Sequence, residues 1–156
     1  MRHKVFILTG AIQTGKTTSL IKWCEGKKNI QGILTPVING KRMFIDIATK
    51  EIFAMESDEN ETEVVRVGRF VFSATAFERA KQIIAGSTNY SYLIIDEVGP
   101  LELRQEGLFD AIQQALQNPK SNIVLVVREG LVDKVTQFFS LANVSTIIKT
   151  ELGDLI

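Results

Sequence analysis

The chain has 156 residues, 45% of them hydrophobic, with 18 basic and 18 acidic side chains and a formal net charge of zero. That size and apolar content suit one compact domain, residues 1–156, and the charge balance excludes the basic footprint by which nucleic-acid binders hold phosphates. No stretch is long and apolar enough to span a membrane, and residues 1–10 lack the layout of a secretory leader. A single cysteine, Cys24, and a single histidine, His3, leave neither an internal disulfide nor a zinc site. Both are read as structural, and a reducing, cytoplasmic location is expected.

The first apolar run, Val5-Phe6-Ile7-Leu8-Thr9, predicts a buried strand. Directly after it, Gly10-Ala11-Ile12-Gln13-Thr14-Gly15-Lys16-Thr17-Thr18 contains G-x-x-x-x-G-K-[ST], the phosphate-binding P-loop. A polyphosphate needs a concave ring of backbone N–H donors, and Gly10 and Gly15 permit the close approach and φ values this takes. A helix opening at Lys16 aims its positive dipole end at the same point. Lys16 then reaches the β- and γ-phosphates, and the Thr17 hydroxyl is a ligand for Mg²⁺.

Helical spacing of Leu20, Ile21, Trp23 and Cys24 predicts a helix over 16–27, with Trp23 read as packing rather than base stacking. Residues 30–37 read as a strand, Asn39-Gly40 as a hairpin turn, and 41–47 as a strand with Met43, Ile45 and Ile47 on one face. A further strand over 51–55 makes 30–56 a small antiparallel meander, inserted between the P-loop helix and the remaining core. The acidic run 57–63 reads as a solvated loop. Residues 64–72 read as a strand interrupted at Gly68 and Arg69. Thr75 and Glu78 have capping-box spacing ahead of Phe77, Ala80, Ile83 and Ile84 on a helix. Strands over 92–97, 122–127 and 144–149 alternate with helices over 107–116 and 131–139. The β–α alternation predicts a mainly parallel sheet with helices on both faces and ligand at the carboxyl ends of the strands.

Tyr92-Leu93-Ile94-Ile95-Asp96-Glu97 is an apolar run ending in paired carboxylates. Asp96, at the end of a buried strand, is placed to hold Mg²⁺ directly or through water. Glu97 is placed to orient or deprotonate a water for in-line attack on the γ-phosphorus. After a sharp turn at Gly99-Pro100, Glu102 is either a second carboxylate behind the metal and water or an acid flanking a helix. Arg128 follows another buried strand, as a cation for the γ-phosphate or a surface ion-pair partner of Glu129. Arg69 and Arg79 are weaker candidates for that cation.

These segments resemble a known family. The P-loop, Gly32-Ile33-Leu34-Thr35 with its hairpin, Val67-Gly68-Arg69-Phe70 leading to Phe77-Glu78, and Ile94-Ile95-Asp96-Glu97-Val98-Gly99-Pro100-Leu101-Glu102 are similar to the small nucleoside-triphosphatases described from thermophiles and as the human cancer-related nucleoside-triphosphatase. The resemblance runs from residue 3 to about residue 148. It implies a P-loop NTPase three-layer sandwich of the additional-strand, catalytic-glutamate type, and a Mg²⁺-dependent hydrolase of ATP, GTP and other nucleoside triphosphates. Some positions depart from the family. Ala11-Ile12-Gln13-Thr14 stands where a proline and an extra glycine are usual, Pro36-Val37-Ile38 where charges are usual, and 150–156 lack an Asn-Arg pair. The phosphate-binding pattern is intact in spite of them.

The expected function is therefore a slow, base-tolerant nucleoside-triphosphate phosphohydrolase with Mg²⁺ as cofactor. A small-molecule or nucleotide kinase shares the loop but would need an arginine-rich lid, which the sequence lacks. A nucleotide-gated adaptor or chaperone for cofactor insertion is the non-enzymatic alternative. No Asn-Lys-x-Asp guanine signature is present, and protein partners cannot be read from the sequence.

Overall fold

Residues 3–10, 15–58 and 60–155 are described by the structure, a computed structural model. Five strands run parallel in the order β10 (Val144–Ile148), β1 (Val5–Thr9), β9 (Asn122–Val126), β8 (Tyr92–Asp96) and β2 (Ile30–Leu34). The sheet continues antiparallel through β4 (Lys41–Asp46), which carries β3 (Val37–Ile38) and β5 (Ile52–Ala54). In this order β9 lies between the P-loop strand β1 and the Asp96 strand β8. That is the additional strand the family resemblance implies.

Strands buried on both faces read as unbroken apolar runs, and successive side chains point to opposite faces. Ile7, Ile33, Leu93, Ile95, Ile123 and Leu125 face one layer of the core, where α2 (Ala74–Ala85), α4 (Phe109–Gln117) and α5 (Val132–Phe138) supply Phe77, Ala80, Ile84, Ile112 and Val135. Their neighbours Leu8, Leu34, Ile94, Val124 and Val126 face the other layer, against Leu20 and Trp23 of α1 (Lys16–Cys24). Leu152 and Leu155, at the end of the chain, close that second layer. Trp23 packs edge-on against Tyr92 at 5.3 Å between ring centroids and is a core residue. No described helix is long and apolar enough to cross a membrane.

Several local expectations change. The meander is not an insertion beside the core: its first strand, β2, is a core strand paired parallel to β8, and β4 extends the same sheet. The strand expected over 30–37 breaks at Thr35-Pro36, where proline has no N–H for a ladder, so that β3 is separate. Residues 64–73 form an antiparallel hairpin, β6 (Val64–Val67) and β7 (Phe70–Ser73), turning at Gly68-Arg69. Helix α2 is capped by Ser73, whose hydroxyl accepts from the Ala76 N–H at 3.1 Å, and not by Thr75. A one-turn helix, α3 (Pro100–Leu103), precedes α4; proline at its first position and glutamate at its third favour that turn.

Gly32 sets the approach of β2 to β8. Its φ is 114°, and a Cβ there would stand 2.0 Å from the Ile94 carbonyl oxygen. Gly32→Ala must therefore push β2 off β8, and it is expected to cost about 3 kcal/mol of stability, the upper part of the range for overpacking. Urea unfolding of the two proteins measures this, and an unchanged midpoint would mean that the strands do not approach in this way.

Candidate active site

In a parallel sheet the loops that follow the strands gather at one edge. Here that edge carries the P-loop after β1, Arg128 after β9, Asp96 and Glu97 at the end of β8, and Thr35 after β2. Of the expected phosphate loop, Ala11, Ile12, Gln13 and Thr14 lie outside the described residues. Gly10 and Gly15 frame it, Gly15 in the left-handed region at φ 83° as the first cap of α1. Lys16 is 8% exposed and donates to the Gly10 carbonyl at 3.0 Å. The same carbonyl accepts from the Glu129 N–H at 3.2 Å, which ties the loop to the end of β9. Thr17 is half-buried and Thr18 exposed on the first turn.

Strands β1 and β8 stand two spacings apart, about 10 Å, with β9 between them. The start of α1 spans that gap: the Thr17 hydroxyl donates to Asp96 Oδ2 at 2.8 Å. The Thr35 N–H donates to the same oxygen at 3.1 Å. Asp96 is 1% exposed, and burial pushes its pKa above the ordinary carboxylate range, opposed by the Thr17 and Thr35 hydrogen bonds and the Lys16 charge. Glu97 is held up by burial and then by the Asp96 charge, with Arg42, Arg128 and Lys16 pulling the other way. A carboxylate and a hydroxyl within hydrogen-bond distance, with no thiolate or imidazole nearby, suit a hard cation. Mg²⁺ keeps several waters and takes the rest of its ligands from phosphates, so few protein oxygens suffice. Among the described residues no group of three or more His, Cys, Asp and Glu is placed to hold an ion alone.

Glu102 lies beside this pair but turns both oxygens to the backbone. Oε1 accepts from the Gly99 N–H at 2.8 Å and Oε2 from the Leu108 N–H at 3.0 Å. It therefore bridges the starts of α3 and α4 and braces the loop that leaves Glu97. A Cβ at Gly107 would stand 2.2 Å from Oε2, so this bracket requires glycine there. Arg128 is half-buried and forms no ion pair with Glu129 among the described residues. Arg79 pairs with Glu51, and the Arg69 guanidinium lies over the Phe70 ring, 5.1 Å from its centroid. A cavity of about 80 Å³ opens beside Glu97, walled by Phe44, Met55 and Phe77, with Thr35 and Arg42 at its polar side. Sequence reasoning did not single out Thr35 or Arg42 as site residues. Their only signal is a place after β2 and after the Asn39-Gly40 turn, which has meaning once β2 is known to lie next to β8.

Glu102 is 4% exposed, and burial pushes its pKa up from 4.5 to about 7. The folded protein thus holds this proton more tightly than the unfolded chain does. Its contribution to stability is fully present below pH 4.5 and is lost as pH rises through about 7. The loss amounts to about 3 kcal/mol at about 1.4 kcal/mol per unit. Glu102→Gln cannot ionise, so its urea midpoint is expected to fall less than the wild-type midpoint over that window. Parallel curves for the two proteins would contradict a titrating Glu102.

The sequence matches the family described as NTPase over residues 5–152. A relative named nucleoside-triphosphatase THEP1, from Saccharolobus solfataricus, is 31% identical over 135 residues, which cover 80% of this chain and 76% of the relative. A cancer-related nucleoside-triphosphatase homolog from Bos taurus is 29% identical over 137 residues, covering 76% and 72% of the two chains. The solution structure of a human cancer-related nucleoside triphosphatase superposes with a TM-score of 0.71 at 22% identity, covering 99% of this chain and 95% of that one. At that identity the likeness concerns the fold. The extent of the sequence match, together with the arrangement of P-loop, additional strand and paired carboxylates, makes this chain a member of the NTPase family of small P-loop nucleoside-triphosphatases.

Proposed function

We propose that this chain is a Mg²⁺-dependent phosphohydrolase that converts ATP, GTP and other nucleoside triphosphates to the diphosphate and inorganic phosphate. The observation that carries this reading is the 2.8 Å bond from the Thr17 hydroxyl to Asp96. It brings the phosphate loop and a buried carboxylate to one point, with Glu97 next in the chain. Gly10 to Thr18 would cradle the phosphates, and Lys16 would trade its Gly10 carbonyl for the β- and γ-phosphate oxygens. Thr17 and Asp96 would hold Mg²⁺, which draws charge off those oxygens when bound.

Glu97 has the role of orienting the attacking water. The water oxygen bonds to the γ-phosphorus while the bond from that phosphorus to the β,γ-bridging oxygen breaks, and its electron pair stays on the diphosphate. The water proton passes by way of Glu97 to the products. Arg128, next to the P-loop at the end of β9, is a cation for the γ-phosphate side. Glu102 holds the loop in place and takes no proton from substrate. The lack of a guanine signature agrees with base tolerance. Burial raises the thiol of half-buried Cys24 to about 11, and an inert thiol with no partner cysteine suits a reducing cytoplasm.

Glu97→Gln keeps size and hydrogen bonding but loses the charge that polarises water. Affinity for ATP and GTP is expected to stay near wild type, while single-turnover hydrolysis falls by about 10²–10⁴-fold, the usual contribution of a general base. Equal rates in the two proteins would remove Glu97 from the chemistry. Asp96→Asn is expected to shift the Mg²⁺ titration of hydrolysis to higher concentration, because a charged oxygen ligand is lost. An unchanged titration in a variant with an unchanged unfolding midpoint would take Asp96 out of the metal site.

A further inference from the structure

The antiparallel extension of the sheet holds a charged group that the reading above does not use. Strand β4 runs against β2 with Leu34 opposite Ile45. The pairing continues past the end of β2, where the Met43 N–H bonds the Pro36 carbonyl at 2.9 Å and Arg42 stands opposite Val37. Arg42 is thereby carried beyond the carboxyl end of β2, to the edge where Thr35, Asp96 and Glu97 stand. Its side chain lines the same cavity as Thr35, Glu97 and Gly99.

Three features mark this arginine as prepared for an anion. Its guanidinium lies 4.8 Å from the centroid of the Phe70 ring, which supports one flat face and leaves the N–H edge available. Its backbone N–H is tied to Glu56 Oε2 at 2.7 Å, which fixes the strand at that point. The guanidinium makes no hydrogen bond or ion pair among the described residues, although the residue is half-buried. Its charge is felt by the Glu97 carboxylate on the same cavity, and its N–H donors are left for an entering anion. The aromatic walls of the cavity lower the local dielectric, which strengthens its field on whatever anion enters.

The order of the strands says which part of a triphosphate that is. Phosphates bound at Lys16 and Thr17 would present their γ end toward Asp96, and so toward β8, β2 and β4. Lys16 and Arg128 approach that end from the β1 and β9 side. Arg42 approaches it from the opposite side. Resting on the hydrolase reading above, we infer that Arg42, carried by the β3–β4 hairpin, is the cation supplied from within the chain that meets the γ-phosphate oxygens as the bond to the β,γ-bridging oxygen breaks. Charge spread over the equatorial oxygens in that state would be flanked by Lys16 on one side and Arg42 on the other, with Glu97 and the attacking water between.

The test compares binding of ADP with binding of ADP plus aluminium fluoride, in the presence of Mg²⁺, by wild type, Arg42→Gln, Arg42→Lys, Arg128→Gln and Lys16→Ala. Aluminium fluoride completes a mimic of the transferring phosphoryl group, so the tightening that it causes reads transition-state contacts apart from those to the diphosphate. Arg42→Gln is expected to bind ADP like wild type and to lose about 10³-fold of the tightening, the low end of the 10³–10⁵-fold by which such arginines raise rates. Arg42→Lys is expected to recover part of it, since the charge returns without the planar fork. A merely structural Arg42 would weaken both measurements equally, and that outcome overturns the inference. Full tightening in Arg42→Gln, with the loss appearing in Arg128→Gln instead, overturns it as well. If wild type shows no tightening while Lys16→Ala still abolishes ADP binding, the hydrolase reading itself fails and takes this inference with it.

Discussion

A carboxylate buried at the end of a hydrophobic strand is the constraint around which the site is built. Asp96 is 1% exposed, and leaving it without partners there would cost several kcal/mol or force it to keep its proton. The Thr17 hydroxyl and the Thr35 N–H reach the same oxygen at 2.8 and 3.1 Å. These bonds come from opposite sides, one from the helix after β1 and one from the end of β2. The solution to a burial problem thus also gathers three strand ends into one cluster of oxygen donors. Anything that moves β8 relative to α1 disturbs the carboxylate and the phosphate loop together.

The sheet makes such movement expensive. Each central strand is buried on both faces, with Ile95, Ile123 and Leu125 on one side and Ile94, Val124 and Val126 on the other. Fully burying a side chain of this size contributes about 1.5–3 kcal/mol, so the strands form a stiff platform and the freedom lies in the loops at their ends. One of those loops is stiffened in its turn. Glu102 places its two oxygens on the N–H groups of Gly99 and Leu108, and this bracket fixes how the chain leaves Glu97. Among the described residues, both oxygens of this carboxylate are thus spent on the backbone.

The antiparallel edge has a different character. Phe44, Phe53 and Phe77 form an aromatic cluster with centroids 5.2–5.3 Å apart around Phe44, and Phe72 joins Phe77 at 5.8 Å. Phe44 and Phe77 of that cluster wall the cavity beside Glu97, and Phe72 joins the β6–β7 hairpin to it, with Phe70 beneath Arg42. The edge is both a cap for the sheet and the means of placing Arg42 on the cavity beside Glu97. A hairpin is well suited to this, because pairing to β4 fixes where each side chain emerges while its tip remains outside the core.

Local pattern alone carries most of the elements and the phosphate-loop residues of the proposed site. Gly10, Gly15, Lys16 and Thr17 are read together because a phosphate loop is built from consecutive backbone N–H groups, whose spacing is a property of the chain itself. The run Tyr92 to Asp96 announces a strand buried on both faces for the same reason, since periodicity is local. Helix caps and short turns are less legible: the capping-box spacing points to Thr75, yet the buried Ser73 caps α2, and the spacing of apolar residues does not mark the one-turn helix at Pro100. Strand order is not a local property: the family resemblance implies the additional strand β9 between β1 and β8, but nothing in residues 30–37 says that β2 lies against β8, since such neighbours are selected by how two apolar faces are shared among all the strands and helices at once. Thr35 and Arg42 enter the site only through that order, 61 residues from Asp96 in the case of Thr35. Contacts of that range belong to the tertiary structure, because the energy that selects them is the burial of the whole sheet.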